Sequence, residues 1–355
     1  MIVITVLNVV VVIMAYLVRF RNNRILLAYA FLLLAIVLGI RYDYGNDYKP
    51  YYEDFIKSYT TRDEYYEYGW YLLYCLFHPF GFFCLVFTLT CVENFIIYKI
   101  IEKYVPKEWI WFAVFIYVFN MGYLLIGLSM MRQFLVMCIG LYSLKYVANR
   151  NLLCFLILCS IATFFHTIAI LLFPLYFAPF FAKLFDNKWG LILIFLGAYI
   201  IYIHIADIVL SFVIGAKEND LAYGHSVYMS AEELSEEKPL RRMYIVRFII
   251  FLIFYIRNIK AIAISQRIYS VSVFLSYFVI PFVTFFTMAI RASWVYSFAE
   301  IVAFPLLLSH ERNRMIKVSL IPIYLFSILF EYFDVFSSSI YGAHYMNYHT
   351  IFETL

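Results

Sequence analysis

The stretch "ILLAYAFLLLAIVLGIRYDYGNDYKPYYEDF", residues 25–55, passes without a spacer from an uncharged apolar run into Arg41, Asp43, Asp47 and the tyrosines Tyr42, Tyr44, Tyr48, Tyr51 and Tyr52. An apolar run of about 17–25 residues reads as a helix crossing a bilayer. The polar segment behind it then marks the chain's arrival at a membrane surface, and its function depends on which side that is. Comparable runs recur along the whole chain. Its 355 residues are 65% hydrophobic and 14% charged, with mean hydropathy +0.84. A soluble domain has roughly 45–50% apolar and about 25% charged residues. The fold class expected is therefore an all-α polytopic membrane protein forming a single integral domain over residues 1–355.

Apolar windows fall near 2–18, 25–40, 109–126, 132–147, 152–165, 168–182, 189–213, 244–258, 268–290, 294–309 and 316–335. The stretch 70–98 contains "FHPFG", whose Pro79 and Gly81 break helices. It reads as a short re-entrant or interfacial helix followed by one span. Twelve crossings result, with both termini on one side. Basic residues then orient the chain, because loops rich in Lys and Arg stay cytoplasmic. Alternate loops hold Arg19, Arg21, Arg24, Lys99, Lys103, Lys107, Lys145, Arg150, Lys183, Lys188, Arg257, Lys260, Arg267, Arg312, Arg314 and Lys317, against only Glu102, Glu108, Asp186 and Glu311. These loops are expected in the cytoplasm. Both termini and the segments 41–69, 214–243 and 336–355 are then extracytoplasmic.

A net charge of +4 gives no reason to expect nucleic acid. The first apolar run lacks a preceding basic residue and a following cleavage site, so it reads as a retained span. Cys75, Cys84, Cys91, Cys138, Cys154 and Cys159 all lie in apolar segments without metal-ligand spacing, and read as small core residues.

The chemistry-bearing residues gather at the outer helix ends. Arg132 in "IGLSMMRQFLVMCIG" and Arg291 in "FFTMAIRASWVYSF" are each pinched between apolar runs. A lone arginine there can simply snorkel to headgroups, since its burial at a helix centre costs about 2.5–3.5 kcal/mol. Two of them with Arg41 on one face favour an anion site, because the guanidinium binds phosphate with a forked pair of donors and keeps its charge. His166 in "IATFFHTIAILLFP" turns at the same depth. It is either a structural hydrogen-bonding residue or a proton-transfer group, as imidazole titrates near neutrality. Asp43, Asp47, Glu53 and Asp54 among tyrosines read as a solvated aromatic belt or as a saccharide-binding rim. Gly45 allows the turn between the first two. "YYEYGWYLLY" adds Glu67, Gly69 and Trp70. Glu93, Asp207 and Glu300 are scattered within spans, and His204 with Asp207 form the one pair there with relay spacing. No Walker loop, GxGxxG, GxSxG or DxD is present, so no cofactor and no metal site is expected.

The segments "RYDYGNDYKPYY", "EYGW", "SMMRQFLVMCIGLYSLKYVANRN", "IATFFHTIAI" and "RASWVYSFAEIVAFP", in that order over about residues 39–310, resemble the EpsG family. That family groups with the Wzy-type polymerases of bacterial exopolysaccharide and capsule. Its pattern has an Arg and Gly-Thr-Asp-Tyr after the second span, an Arg-Gln pair opening a central helix, a His-Ser a hairpin later, and a late arginine starting another helix. Asn46 here stands where threonine is usual, and Thr167 where serine is usual. The resemblance implies a GT-C-like bundle in the bacterial cytoplasmic membrane. It further implies polyprenyl-pyrophosphate-linked oligosaccharides as donor and acceptor, joined on the outer face without a metal, with polyprenyl (undecaprenyl) pyrophosphate released. A flippase and a chain-length regulator of the same pathway are the implied protein partners, alongside membrane lipid. On that reading Arg132 and Arg291 hold the pyrophosphate, with Arg41 as a third contact and Tyr296 in support. Asp43, Asp47, Tyr48, Glu67 and Gln133 bind sugar or orient the acceptor, and His166 or Asp47 is the base. The rivals are a transporter or flippase of lipid-linked sugars and a membrane O-acyltransferase. Transporters commonly show internal repeats and midplane polar sites, whereas no repeat is visible here and the ionisable residues sit at helix ends.

Overall fold

The computed structural model describes residues 1–20, 24–60, 67–187, 189–197, 240–280, 287–337 and 342–353. Apart from one two-residue strand pair, the regular structure in them is helical. A helix pairs its backbone groups within its own segment, which suits a lipid-exposed chain because hydrocarbon offers no hydrogen bonds. The first helices, α1 (Ile2–Leu17) and α2 (Ile25–Gly39), lead into strand β1 (Arg41–Tyr42) and α3 (Tyr48–Lys57). Next come α4 (Tyr68–Phe77), α5 (Phe82–Tyr104), α6 (Ile110–Phe119), α7 (Leu124–Ser129), α8 (Met131–Ala148) and α9 (Leu152–Phe165). A 3-10 helix, Thr167–Phe177, continues into α10 (Ala178–Leu184). The later helices are α11 (Leu240–Asn258), α12 (Ile264–Val279), α13 (Thr287–Ser297), α14 (Glu300–His310), α15 (Arg314–Ser337) and α16 (Ala343–Met346). Strand β2 (His349–Thr350) pairs antiparallel with β1.

The outer faces of the helices are apolar. On α1 Ile2, Val6, Val9 and Ile13 are exposed, and on α9 Leu153, Ile157, Ile161 and Phe164. Contiguous apolar surface of this kind belongs against lipid or another protein. Inside, polar groups tie helices together. The Asn8 amide donates to the Val118 carbonyl at 2.9 Å, and the Tyr117 hydroxyl to Asn94 Oδ1 at 3.1 Å.

By length and composition, Phe82–Tyr104, Thr167–Leu184 and Arg314–Ser337 can cross a membrane, and a fourth span results if the pair Ile290–Ser297 and Glu300–His310, bent by 47°, counts as one. The expected twelve are not reached among the described residues. The apolar helices Ile2–Leu17, Ile25–Gly39 and Leu152–Phe165 are shorter than the ~20 residues a straight crossing takes. The expected span 109–126 breaks at Asn120 into α6 and the six-residue α7. The stretch 70–98 divides as its breakers suggest, into the short α4 and the spanning α5, with Gly81 between them at φ 85°. Most of the expected span 189–213, the pair His204 and Asp207, and the loop 214–243 up to residue 239 lie outside the described residues.

The two chain ends meet. The N-terminal ammonium of Met1 donates to the carbonyls of Tyr345, at 2.9 Å, and Met346. The tail also grips the 41–48 segment, where the Gly45 amide reaches the His344 carbonyl at 3.3 Å and the Tyr44 hydroxyl the Tyr345 carbonyl at 3.1 Å. At the other ends of these helices Arg24 bonds the Glu102 carbonyl, and Arg257 forms a two-point pair with Glu311 at 2.7 and 3.1 Å. Arg267 pairs with Asp186 at 2.5 Å there. The loops richest in Lys and Arg thus share one end of the bundle.

Candidate active site

At the end where the termini meet, α3 and α4 lie over the starts of α5 and α8. Tyr48, Tyr51, Phe55, Trp70, Tyr74, Phe82 and Met131 form a separate small core there. Two glycines set its closest approaches. Gly45 has φ 109°, and a Cβ on it would lie 2.7 Å from the Leu128 carbonyl oxygen. Its lack of a side chain lets the loop close on the α7–α8 break, where the Asp47 amide donates to Ser129 Oγ at 3.1 Å. Gly69 packs on the end of α9, and a Cβ there would lie 2.6 Å from the Phe164 carbonyl oxygen. The residue two before Gly69 is Glu67, and the residue two after Phe164 is His166. Backbone contact at the glycine therefore brings the carboxylate to the imidazole.

Glu67 caps α4 from an extended backbone and has both oxygens engaged. Its Oε2 accepts from Arg132 Nη1 at 2.6 Å, while Oε1 lies 2.5 Å from His166 Nδ1 and accepts the Thr167 amide at 3.2 Å. Burial alone would raise the Glu67 pKa. The hydrogen bond and charge of His166, the Arg132 charge and the Thr167 amide outweigh it, so the carboxyl is held below its ordinary value. The three side chains are 15% (Glu67), 18% (His166) and 28% (Arg132) exposed, so the cluster is recessed but reachable. His166 itself has extended backbone (φ −160°, ψ 131°) at the junction of α9 and the 3-10 helix. With Nδ1 committed to Glu67, Nε2 is the ring nitrogen left to meet a substrate.

Arg132 is the second residue of α8. Its Nε donates to the Tyr51 hydroxyl at 3.3 Å, and its guanidinium carbon lies 5.4 Å from the Tyr51 ring centre. Nε and Nη1 are thereby fixed, and among the described residues Nη2 has no partner. Gln133 donates through Nε2 to the Arg291 carbonyl at 3.3 Å, drawing α13 to α8. Arg291 is half-buried, and its side chain has no ion-pair or hydrogen-bond partner among the described residues.

The remaining candidates are placed differently. Arg41 is 2% exposed and turned inward, donating to the Leu38 carbonyl at 2.7 Å and to Thr90 Oγ1 at 3.0 Å. Tyr48 is buried, with its hydroxyl on the Arg41 carbonyl at 3.3 Å. The Tyr296 hydroxyl donates to the Leu171 carbonyl at 2.7 Å, so it braces the 3-10 helix that starts beside His166. Asp43 is exposed with φ 45°, and Asp47 is half-buried. Tyr51 is a site residue that sequence reading assigned to an aromatic belt. Nothing local distinguishes it from its four neighbouring tyrosines, and only the fold brings it to Arg132. Among the described residues no group of three His, Cys, Asp or Glu is arranged to hold a metal ion.

The arrangement offers a carboxylate-oriented imidazole next to a positioned guanidinium with free donors. A second arginine lies on the adjoining helix. A family model described as the EpsG family matches residues 24–350 of the chain. No curated protein and no solved structure matches it.

Proposed function

The chain belongs to the EpsG family, and on that premise we propose that it joins polyprenyl-pyrophosphate-linked oligosaccharide repeat units on the outer face of the bacterial cytoplasmic membrane. Family membership supports an exopolysaccharide-related polymerase role in general. The chemistry of the cluster supports the finer reading. A sugar hydroxyl on the acceptor attacks the anomeric carbon of the donor as the bond from that carbon to the pyrophosphate oxygen breaks. The hydroxyl proton passes to His166 Nε2. The bonding pair leaves with polyprenyl pyrophosphate.

In this reading Glu67 holds the Nδ1–H tautomer, so the lone pair is on Nε2, and it stabilises the imidazolium that forms. Arg132 offers Nη2 to the departing phosphate oxygens. Arg291 is the second guanidinium for that charge, which grows as the bond breaks. Fixed donors at developing charge are worth more in a recessed site than in water, because they need not reorganise. In this reading Asp43 and Asp47 bind sugar or orient the acceptor, and the buried Arg41 braces the 41–48 segment.

The observation that carries the proposal is the bridge of Glu67 between His166 and Arg132. Its test is a chain-extension assay with the full-length protein and purified lipid-linked repeat units in detergent. Arg132→Ala is expected to abolish longer chains while its level in the membrane is unchanged. Normal chain lengths from that variant overturn the proposal. Wild-type protein that yields no longer chains in detergent, yet moves the same lipids across vesicles, is a flippase instead.

A further inference from the structure

Arg132 is the second residue of α8, so the point where α8 begins decides where its guanidinium lies. The chain reaches that point through α7 and a break at Met130, whose φ of −88° and ψ of 66° are not helical. α7 has six residues, and isolated helices shorter than about 12–15 residues are marginal even in favourable sequences. Its position must come from what grips it. Burial of Leu124, Leu125 and Leu128 supplies part of that grip, but apolar contact is non-directional. Direction has to come from hydrogen bonds.

One such bond is that of the Asp47 amide to Ser129 Oγ. Another comes from Tyr345 in the C-terminal tail, on α16. Tyr345 is 3% exposed, and its hydroxyl donates to the Leu125 carbonyl at 3.0 Å. The Ser129 side chain and the Asn46 amide lie against the same hydroxyl. From the other side, the Tyr345 carbonyl accepts the Tyr44 hydroxyl at 3.1 Å, and the two rings meet edge-on with centres 5.4 Å apart. One residue therefore joins the 44–47 loop to α7. Beyond it the tail is anchored again. β2 pairs with β1, the Ile351 amide donates to the Ile40 carbonyl at 3.0 Å, and the Tyr348 hydroxyl reaches the Val37 carbonyl.

We propose that Tyr345 is a positioning residue for Arg132: the tail straps the 41–48 segment against α7 and so fixes the point from which α8 starts. The hydrogen bonds of Tyr345 go to α7 and the 44–46 loop, not to Glu67, His166 or Arg132. It acts through backbone placement alone. The kinetic consequence rests on the polymerase reading above, whereas the placement of α7 does not.

Tyr345→Phe keeps the ring and removes only the hydroxyl. Two measurements on the full-length protein in lipid nanodiscs test its role. In hydrogen exchange, peptides covering residues 43–48 and 124–131 are expected to exchange at least five-fold faster in the variant, with α9 unchanged. In chain extension with lipid-linked repeat units, kcat is expected to fall about ten-fold or more. KM should stay within about two-fold, because Arg132 acts on charge that grows only as the bond breaks. Tyr59→Phe is the control. It removes a hydroxyl bond to the His78 carbonyl at 2.9 Å, beside α3, and should alter neither measurement. Unchanged exchange in both peptides overturns the strap. Faster exchange with a wild-type kcat, or with a change in KM alone, overturns the positioning role. Wild-type protein that makes no longer chains removes the polymerase reading instead, and the exchange contrast then decides the strap by itself. If Tyr345→Phe does not fold, Tyr44→Phe, which cuts the bond on the other side of Tyr345, takes its place with the same expectations.

Discussion

A carboxylate offers about four acceptor directions, and three of those at Glu67 are filled by Arg132, His166 and the Thr167 amide. Glutamine in its place is isosteric but loses the charge and turns one acceptor into a donor. Glu67→Gln must then leave either Arg132 or His166 facing a donor. A positioned base contributes typically 10²–10⁴-fold to rate, so chain extension by this variant is expected to fall by roughly that factor. Single-turnover assays on protein of unchanged melting temperature check it, and a loss below five-fold would remove Glu67 from the mechanism. Acid should imitate the substitution. The folded-state pKa of Glu67 is depressed, so its contribution is fully present above the ordinary carboxylate pKa of about 4.3 and is lost as pH falls through the lower folded value. The contact between Glu67 and Arg132 is therefore expected to survive mild acidification, with the variant lacking this acid-stable range in a pH series of melting temperatures.

At the scale of elements, the site exists because α4, α8 and α9 end at one place, and Gly69 sets how closely α4 meets α9. Alanine at 69 puts a methyl against the Phe164 carbonyl group, which is backbone and cannot swing aside. The start of α4 must withdraw and carry Glu67 off His166. Misplacement of about 1 Å can cost 10²-fold in rate, so Gly69→Ala is expected to lose about 10–100-fold. A purely structural fault would leave the pH profile alone. A displaced Glu67 regains a more ordinary pKa, so activity in Gly69→Ala should fail at higher pH than in wild type. This end of the molecule was partly legible in the sequence. Arg132 and His166 each interrupt apolar runs, and such interruptions can be read without a fold. The bridge by Glu67 could not be, since its partners are 65 and 99 residues away. Arg41 shows the opposite failure. It looks like an exposed helix end, yet Thr90, 49 residues later, takes it inward. Glu300 reads as isolated for the same reason, because Tyr123, 177 residues earlier in the turn between α6 and α7, donates to it. The break at Asn120 went unread because the residues on both sides of it are equally apolar.

For the whole molecule, the two ends differ in charge and in chemistry. One end holds the Arg24–Glu102, Arg257–Glu311 and Arg267–Asp186 contacts. The other holds both termini, the β1–β2 pair and the His166–Glu67–Arg132 cluster. Lys and Arg in short loops are retained in the cytoplasm during insertion, so the cluster end should face outward, as the proposed elongation of a lipid-linked sugar chain requires. Single cysteines at two exposed positions, Asn347 beside the cluster end and Arg312 in the basic loop, separate the orientations. In a background with the six free cysteines replaced by serine or alanine, a membrane-impermeant maleimide on intact cells should label Asn347→Cys and spare Arg312→Cys. Permeabilised cells should label both. The reverse pattern would put the guanidinium and imidazole groups in the cytosol, away from exported sugar lipids, and no property of the cluster itself could then rescue a polymerase acting at the outer face.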